Sequence, residues 1–373
     1  MKKIVVILAA VLIGLSGCSK VNTSVIRVSN EPSGMAKHFP IAVFPVYNLS
    51  GMRAPLKEIQ QSFINILKRQ GFSSLDNDEL EKVLARHRIR YVGGITEVTA
   101  KTLKKEAGAE TVLITYLENY SEMYPPKIAL TSRLVSTDGT TKTLWMDDIG
   151  LAGDDSPGIL GLGLIDNPRT LLKIAIQHLT TSLSEFLSGQ NYSMESSKNR
   201  NKFWPKVIYR SPILASDLKY RVAVLPFFNL SERKYADEII ALHFLRRFRT
   251  YDNFDIIEPG VVRNALLGLR IVMEDGLSFA DSDVIFSRLD ADLILTGKII
   301  DYQDYRGQYG KAKVDFSALL IERKSREVVW SSKSSNNGDD GVFFFDFGKV
   351  NTAHAMASEM VGNVVELITE ENP

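Results

Sequence analysis

An internal repeat constrains the fold of this chain more than any other feature. Residues 41–50 read IAVFPVYNLS and residues 222–231 read VAVLPFFNLS, which places the second copy 181 residues after the first (226 − 45). Further matched pairs follow in the same order: Ile59 with Ile240, Phe63 with Phe244, Trp145 with Trp330, and Gly163 with Gly348. The offset grows to 185 along the way (330 − 145), as loop insertions in a duplicated domain would produce. Because this period is too long for a solenoid, we expect each copy to fold around its own core.

Both copies show the same predicted order of elements. A short apolar run, at 41–46 and again at 222–227, is typical of a buried strand. Apolar residues spaced at three and four then predict helices, and a further strand is followed by an alternating hairpin and a last amphipathic helix. Strands alternating with helices, with a closing hairpin, indicate the α/β class. We therefore predict two tandem repeats of a mixed-sheet α/β sandwich domain.

The first eighteen residues predict where the protein goes. Lys2 and Lys3 precede an apolar run over 4–13, which fits a secretory signal and is short for a membrane span. The run ends in Leu-Ser-Gly17-Cys18, which resembles a bacterial lipobox. That resemblance implies cleavage between Gly17 and Cys18, and lipidation (palmitate and related acyl chains) of Cys18. An ordinary signal peptide that happens to contain a cysteine is the alternative.

Lipidation would attach the mature chain to a membrane. Several acyl chains, at about 0.8 kcal/mol per buried CH₂, anchor a protein stably where one chain would be marginal. Ser19, rather than Asp, follows Cys18 and resembles the sorting signal for the outer membrane. We expect the protein to be anchored by lipid in the outer membrane and to face the periplasm.

These patterns divide the chain into five predicted segments. They are the signal peptide 1–17, a lipidated stalk 18–40, the first repeat domain 41–188, a linker 189–220, and the second repeat domain 221–370. The linker is predicted because 190–202 is almost wholly polar.

Composition excludes several classes of function. Lys plus Arg total 45 and Asp plus Glu total 44, so the net charge of +1 lacks the basic excess typical of nucleic-acid binding. The chain contains 1 cysteine, which excludes an internal disulfide framework and a cysteine-based zinc cluster.

The second repeat carries a family resemblance. The strand VAVLPFFNLS, followed later by ADLILTGKI at 291–299 and a hairpin, resembles a family of bacterial envelope proteins. This family includes the curli-secretion lipoprotein, the penicillin-binding-protein activator lipoproteins and the amino-terminal domain of TolB-type proteins. The resemblance covers 222–368 well and 41–187 less closely, because 111–117 lacks the pair Thr296-Gly297. It implies an assembly factor, activator or export component without chemistry of its own.

The chemistry-bearing residues predict no catalytic, cofactor or metal site. No two of the histidines show the spacing typical of zinc ligands: His38, His87, His178, His243 and His354. His178 and His243 fall in predicted helices and are expected to be packed or on the surface. The acidic pairs 154–155 and 339–340 could bind a hard cation or serve as acid and base, but an acidic loop stabilised by a helix amino terminus explains them better. Glycines 158, 161 and 163 lack the Lys-Ser or Lys-Thr of a phosphate loop.

In each repeat, one apolar segment precedes the last helix, and these two segments are candidates for an interaction surface. The first contains Ile159, Leu160, Leu162, Leu164 and Ile165, and the second contains Val342, Phe343, Phe344, Phe345 and Phe347. An apolar loop either folds back onto the core or faces a partner. Because three neighbouring side chains in extended chain cannot all point inward, we expect at least one of Phe343, Phe344 and Phe345 to be exposed.

Together these features predict a non-catalytic, lipid-anchored periplasmic scaffold that binds an envelope protein or a second copy of itself, and no nucleic acid. The alternative is a subunit of a curli-type export complex, which would need membrane-facing strands beyond the hairpins that complete the two sheets. A hydrolase is the weakest hypothesis, since no GxSxG nucleophile motif is present.

Overall fold

The structure is a computed structural model, which describes residues 39–156, 163–189, 200–215, 217–271, 276–305, 310–342 and 348–369. The first repeat contains these elements in chain order: β1 Ile41–Val43, β2 Tyr47–Asn48, α1 Leu56–Arg69, α2 Asn77–Arg86, α3 Glu97–Ala107, β3 Thr111–Ser121, β4 Lys127–Ser136, β5 Thr143–Ala152 and α4 Pro168–Leu187. The second contains β6 Val207–Arg210, β7 Tyr220–Val224, β8 Phe228–Asn229, α5 Ala236–Phe248, β9 Phe254–Ile256, α6 Pro259–Leu269, α7 Phe279–Leu289, β10 Leu293–Gln303, β11 Lys313–Glu322, β12 Val328–Asn337 and α8 Ala353–Thr369.

Several helices begin at side-chain caps that are visible in the sequence. The carboxylate of Asp76 accepts hydrogen bonds from two backbone amides of α2, and the hydroxyl of Thr96 accepts one from α3. Asn167 precedes Pro168 at the start of α4, where the missing proline amide is not needed. These caps fix where each helix leaves the sheet.

Each repeat forms a mixed sheet, which confirms the predicted fold class. The first sheet has the order β1-β3-β4-β5, with β1 parallel to β3 and the rest antiparallel. The second has the order β6-β12-β11-β10-β7-β9, with β7 parallel to both β9 and β10. The short strands β2 and β8 extend the parallel pairing in the same place in both repeats.

Strand β6 lies within 189–220, the segment that the sequence predicts as a linker. It pairs antiparallel with β12 and forms the outer edge of the second sheet. The second repeat therefore begins before residue 221, since 207–210 completes its sheet.

Within the described ranges, the apolar core consists of three clusters. One contains only residues of the first repeat, between its sheet and helices α1 and α4. A second contains only residues of the second repeat, against α6 and α7. The largest joins the two, and it includes Phe44 and Tyr116 together with Phe244 and Val361. Each repeat thus has apolar packing of its own, and the two also share a core.

The shared core exists because the second repeat's helices α5 and α8 lie between the two sheets. One side of this helix pair packs on β10, β11 and β12, and the other side faces β5 of the first sheet. Among the described residues, the helices are too short or too polar to cross a membrane.

Candidate functional site

Five ionisable side chains meet where the first sheet faces the helix pair α5 and α8. Although charged groups are seldom fully buried, all five are buried here. We call this group the inter-repeat cluster: Glu118 on β3, Asp148 on β5, His243 and Arg246 on α5, and His354 on α8. Three of its members therefore come from the second repeat and two from the first.

The cluster is a continuous chain of polar contacts. His354 Nδ1 lies 2.6 Å from Glu118 Oε2, and His354 Nε2 lies 3.5 Å from Asp148 Oδ2. The same Asp148 oxygen accepts a hydrogen bond of 2.9 Å from Arg246 Nη1 and lies 3.4 Å from His243 Nδ1. Thr131 on β4 donates to the other oxygen of Glu118. His354 thereby bridges the two carboxylates of the first repeat.

Strand geometry brings these groups together. Side chains alternate along β5, so Asp148 points to the same side as Gly150, and an irregularity in the β3–β4 register turns Glu118 toward that side. Gly150 makes room for the histidine, because a Cβ at this position would lie 2.6 Å from Cδ2 of His354. The absence of a side chain at Gly150 is therefore required by the packing of α8.

Burial and charge act in opposite directions on the pKa values of the carboxylates. Burial alone would raise the pKa of Glu118, but the charge and hydrogen bond of His354 hold it below its ordinary value. Burial likewise opposes ionisation of Asp148, and Arg246 together with the two histidines lowers the pKa of that carboxyl. Both carboxylates are therefore ionised at neutral pH.

The two histidines are shifted in opposite directions. Burial favours the neutral form of His354, but Glu118 and Asp148 outweigh it and raise the pKa of this histidine. Burial lowers the pKa of His243, which is consistent with a neutral ring. Since the folded-state pKa of His354 is raised, its stabilising contribution is complete below the unfolded pKa of about 6.5 and is lost as pH rises through the folded value.

Three members of the cluster are residue types that can bind a metal ion. Ligand atoms of Glu118, His243 and His354 all lie within 4.8 Å of one another. However, two carboxylates, one arginine and one protonated histidine already balance in charge, and a cation would have to displace the His354 proton beside Arg246. The geometry therefore fits an ion network that holds the two repeats together.

A second buried ion pair joins the repeats at the other end of the same sheet face. Arg133 on β4 donates to Glu258 Oε1 at 2.8 Å, and also to Glu258 Oε2. Arg133 further donates to the Tyr116 hydroxyl at 2.9 Å and to the carbonyl of Gly93 at 3.1 Å. Glu258 in turn accepts from the amide of Ile95 at 3.1 Å and caps helix α6. This carboxylate therefore links a helix of the second repeat to two parts of the first.

A third contact centres on Lys127 of the first repeat. Its ammonium donates to the carbonyl of Tyr305 at 3.0 Å and lies 3.8 Å from Asp304. Burial lowers the pKa of Lys127 to about 8. Nearby, Arg233 of the second repeat donates to the carbonyl of Ser50 at 2.9 Å. The contacts between the repeats thus extend along the whole covered face of the first sheet.

The predicted acidic pairs lie in loops and are bound by protein groups. Asp154 accepts from the Tyr305 hydroxyl at 2.8 Å, and Asp155 accepts from the amide of Ala152 at 2.7 Å. Burial raises the pKa of Asp155 to about 6. In the second repeat, Asp340 accepts from the amide of Asn337 at 2.7 Å. The explanation through a helix amino terminus was wrong, because the partners are nearby backbone amides together with distant side chains such as Tyr305 and Asn351.

The structure brings together residues that local sequence spacing keeps apart. The ring centroids of His243 and His354 lie 4.7 Å apart, although 111 positions separate the two residues (354 − 243). His87 instead pairs with Glu106 at 2.7 Å, and His178 lies 3.5 Å from Asp147. The sequence signal for the cluster was Glu118 and Asp148, two acids within strands that are otherwise apolar or neutral on that face.

Several predicted sites lie outside the described residues. They are Gly17 and Cys18, His38, glycines 158 and 161, the apolar residues Ile159, Leu160 and Leu162, and the aromatic residues Phe343, Phe344, Phe345 and Phe347. Within the described part of the first apolar segment, Leu164 is 37% exposed and Ile165 packs against the core of its own repeat.

The second sheet, unlike the first, leaves part of its outer face open, and α6 and α7 cover the rest of that face. The exposed residues on this face include Lys298 and Ile300 on β10 and Lys333 on β12. Strand β6 adds Val207 and Tyr209, which are 60% and 52% exposed and lie opposite Lys333 and Ser331. Trp204 and Ile213 flank this strand and are also exposed. An edge strand with apolar side chains exposed is a typical site for another protein to bind.

No protein-family model matches the sequence, and no curated protein matches it either. Among solved structures, the PelC dodecamer from Paraburkholderia phytofirmans is similar, with 18% identity and a TM-score of 0.29 over 44% of this chain and 95% of PelC. Lipoprotein GNA1162 from Neisseria meningitidis has 17% identity and a TM-score of 0.29 over 40% of this chain and 98% of its own. The LpoB C-terminal domain from Salmonella enterica has 17% identity and a TM-score of 0.27 over 33% and 87% of the two chains.

Proposed function

We propose that this protein is a non-catalytic scaffold of the bacterial envelope, anchored to the outer membrane through lipid on Cys18, which binds another envelope protein from the periplasm. The observation that carries the proposal is the apolar edge of the second sheet. Val207 and Tyr209 are more than half exposed on an edge strand, beside the exposed Trp204. Soluble monomers seldom leave such a group of apolar side chains in water without an interaction that uses it.

A role in binding agrees with the burial of the ionisable clusters. Glu118, Asp148, His243 and His354 would be the natural groups for acid–base chemistry, but each is buried in the contact between the repeats. A substrate could not reach them unless the repeats separated. Their partners are protein groups of the opposite repeat, which supports a structural role for these residues.

The experiment uses the full chain expressed in its own envelope. After mild solubilisation, we expect the wild-type protein to migrate in native electrophoresis as a complex larger than the monomer. The double substitution Val207→Asp with Tyr209→Asp should shift most of the protein to the monomer position, because charges would replace apolar contacts at the edge. Both residues are exposed, so the melting temperature should change little.

Val98 provides a matched control. It is 74% exposed on α3 of the first repeat, whereas β6 lies at the edge of the second sheet. Val98→Asp should leave the complex intact. Wild-type protein that migrates as a monomer when freshly solubilised would refute the proposed function, and equal loss of the complex in Val98→Asp would refute the role of the edge strand.

A further inference from the structure

The two repeats allow their sheet faces to be compared position by position. Glu118 and Ile300 occupy the same irregularity in the pairing of β3 with β4 and of β10 with β11. Trp145 and Trp330 pair at equivalent points of the hairpins, so Asp148 and Lys333, each three residues later, also correspond. The same registers give three further equivalent pairs: Tyr116 with Lys298, Thr131 with Ser317, and Arg133 with Leu319.

In the first repeat this face is covered by helices. Helices α5 and α8 lie on it and present His243, Arg246 and His354 to Glu118 and Asp148. Acidic side chains on the sheet therefore meet basic side chains on the helices. The chain itself thus shows how this type of face is covered, and by what charge pattern.

In the second repeat neither acid is present at these positions. Ile300 takes the place of Glu118, and Lys333 takes the place of Asp148. Lys298 adds a further positive charge, and among the described residues no carboxylate pairs with Lys298 or Lys333. Asp301 and Asp315 lie further along the same face, where Asp301 pairs with Lys313 at 2.9 Å. The face also carries Val207 and Tyr209 beside Lys333, so it combines apolar area with unpaired positive charge.

A second copy of this chain does not complement this face. The helices of the first repeat that correspond to α5 and α8 are α1 and α4, and the residues equivalent to His243, Arg246 and His354 are Ser62, Asn65 and Arg169. If α1 and α4 of a second copy docked as α5 and α8 do, Arg169 would lie against Ile300 and near Lys333. Like charges brought together in a desolvated contact oppose binding.

From this comparison we infer that the outer face of the second sheet binds an acidic, amphipathic α-helix of a partner protein. The helix lies across β10, β11 and β12 as α5 and α8 lie across the first sheet. Its apolar side contacts Ile300, Leu319 and Tyr209, and its carboxylates pair with Lys298 and Lys333. This inference rests on the proposed function and adds the chemistry of the partner.

The test is photo-crosslinking in the intact envelope, followed by mass spectrometry of the adduct. The photoreactive residue replaces Ser317, which lies in register between Lys298 and Lys333. In a second variant, which is the control, the photoreactive residue replaces Gln61, an exposed residue on α1 of the first repeat. We expect a protein adduct from position 317, and we expect the crosslinked segment to carry Asp or Glu at helical spacing of three and four. Position 61 should give no such adduct.

Charge-reversed variants test the ionic part. Lys298→Glu with Lys333→Glu should reduce the adduct at position 317 by about tenfold or more, because attraction becomes repulsion. Raising the salt to about 1 M should also reduce it, since screening then acts within about 3 Å. Lys82→Glu with Lys105→Glu, which reverses two exposed lysines of α2 and α3, should leave the yield unchanged. If Lys298→Glu with Lys333→Glu lowers the melting temperature, the double variant Lys298→Gln with Lys333→Gln is used in its place.

The outcomes separate this inference from the proposed function. A native complex that persists while position 317 gives no protein adduct would overturn the inference and leave the scaffold function standing. An adduct with a second copy, with lipid, or with a basic or extended segment would also overturn the inference. Absence of any native complex in the wild type would refute both.

Discussion

The ion pair between Arg133 and Glu258 gives the sharpest prediction about how the repeats are held together. Both side chains are almost completely inaccessible to solvent. Replacing Arg133 with Met removes the cation and leaves the Glu258 carboxylate with the amides of Ile95 and Gly260 as its remaining partners. Breaking a buried pair in this way costs about 3–5 kcal/mol, because one charge stays buried without its counterion.

The matched variants separate the cost of a stranded charge from the loss of packing. Glu258→Gln keeps an oxygen that can accept from Ile95, and combined with Arg133→Met it leaves no buried charge at this position. We therefore expect the double variant to be more stable than Arg133→Met alone, with a coupling energy of about 2 kcal/mol. The exposed pair of Arg86 and Glu106, at 2.7 Å, is the control, and Arg86→Met should leave the urea midpoint almost unchanged because solvent screens this pair.

The assay is urea unfolding of the mature, unlipidated chain, followed by circular dichroism and by tryptophan fluorescence. Trp145 lies in the first repeat, and Trp204 and Trp330 lie in the second. Fluorescence of Trp145→Phe therefore reports on the second half, and fluorescence of Trp204→Phe with Trp330→Phe reports on the first. We expect the transitions of the two halves to coincide, because the largest apolar cluster contains residues of both. A cost below about 1 kcal/mol for Arg133→Met, or additive effects of the two substitutions, would refute the reasoning.

Four further predictions follow from other parts of the chain. Cys18→Ala should abolish the incorporation of radiolabelled palmitate, and a wild-type chain that takes up no label would contradict the lipid anchor. Because the pKa of His354 is raised, stability should fall as pH rises above about 6.5, and His354→Gln should flatten this fall in a series of urea midpoints at different pH values. Gly150→Ala should destabilise the protein by about 1–3 kcal/mol in the same assay, since its Cβ would collide with His354, whereas Gly268→Ala, with open space around it, should not. Phe344→Ser and Phe345→Ser, tested separately, should leave the protein folded and weaken its complex; unfolding of both variants would show that these residues belong to the core.

The repeat and its period-two and period-3.6 patterns were enough to predict the fold of each half. The strand at 111–117, the alternating hairpin and the amphipathic last helix all lie where the apolar spacing places them. The strand β6 was missed because Val207 to Arg210 has only four residues and no alternation of polar and apolar side chains, and its pairing with β12 is set by contacts far along the chain. Short edge strands have little local signal of their own.

The arrangement of the repeats could not be predicted from local patterns. His243 and His354 belong to different helices, and nothing near either residue indicates that Glu118 lies opposite. A buried ion network is specified by tertiary packing, and its only sign in the sequence is an acidic residue within an apolar strand. Side-by-side comparison of the repeats would have drawn attention to Glu118 and Asp148, because the second copy has Ile300 and Lys333 there.

This divergence also removes the charge match that head-to-tail assembly through the same contact would need. The contact between the repeats is heterologous, since the sheet of one faces the helices of the other, and such contacts generate rings or filaments when every unit offers both surfaces. Here the first repeat offers an acidic sheet face that its own chain already covers. On the equivalent face of the second repeat, Lys298 and Lys333 have no carboxylate partner among the described residues. Helix α4 of a second copy would bring Arg169, and not an acid, toward these lysines. The duplication therefore closes one contact inside the chain and leaves the equivalent face open to a partner of opposite charge.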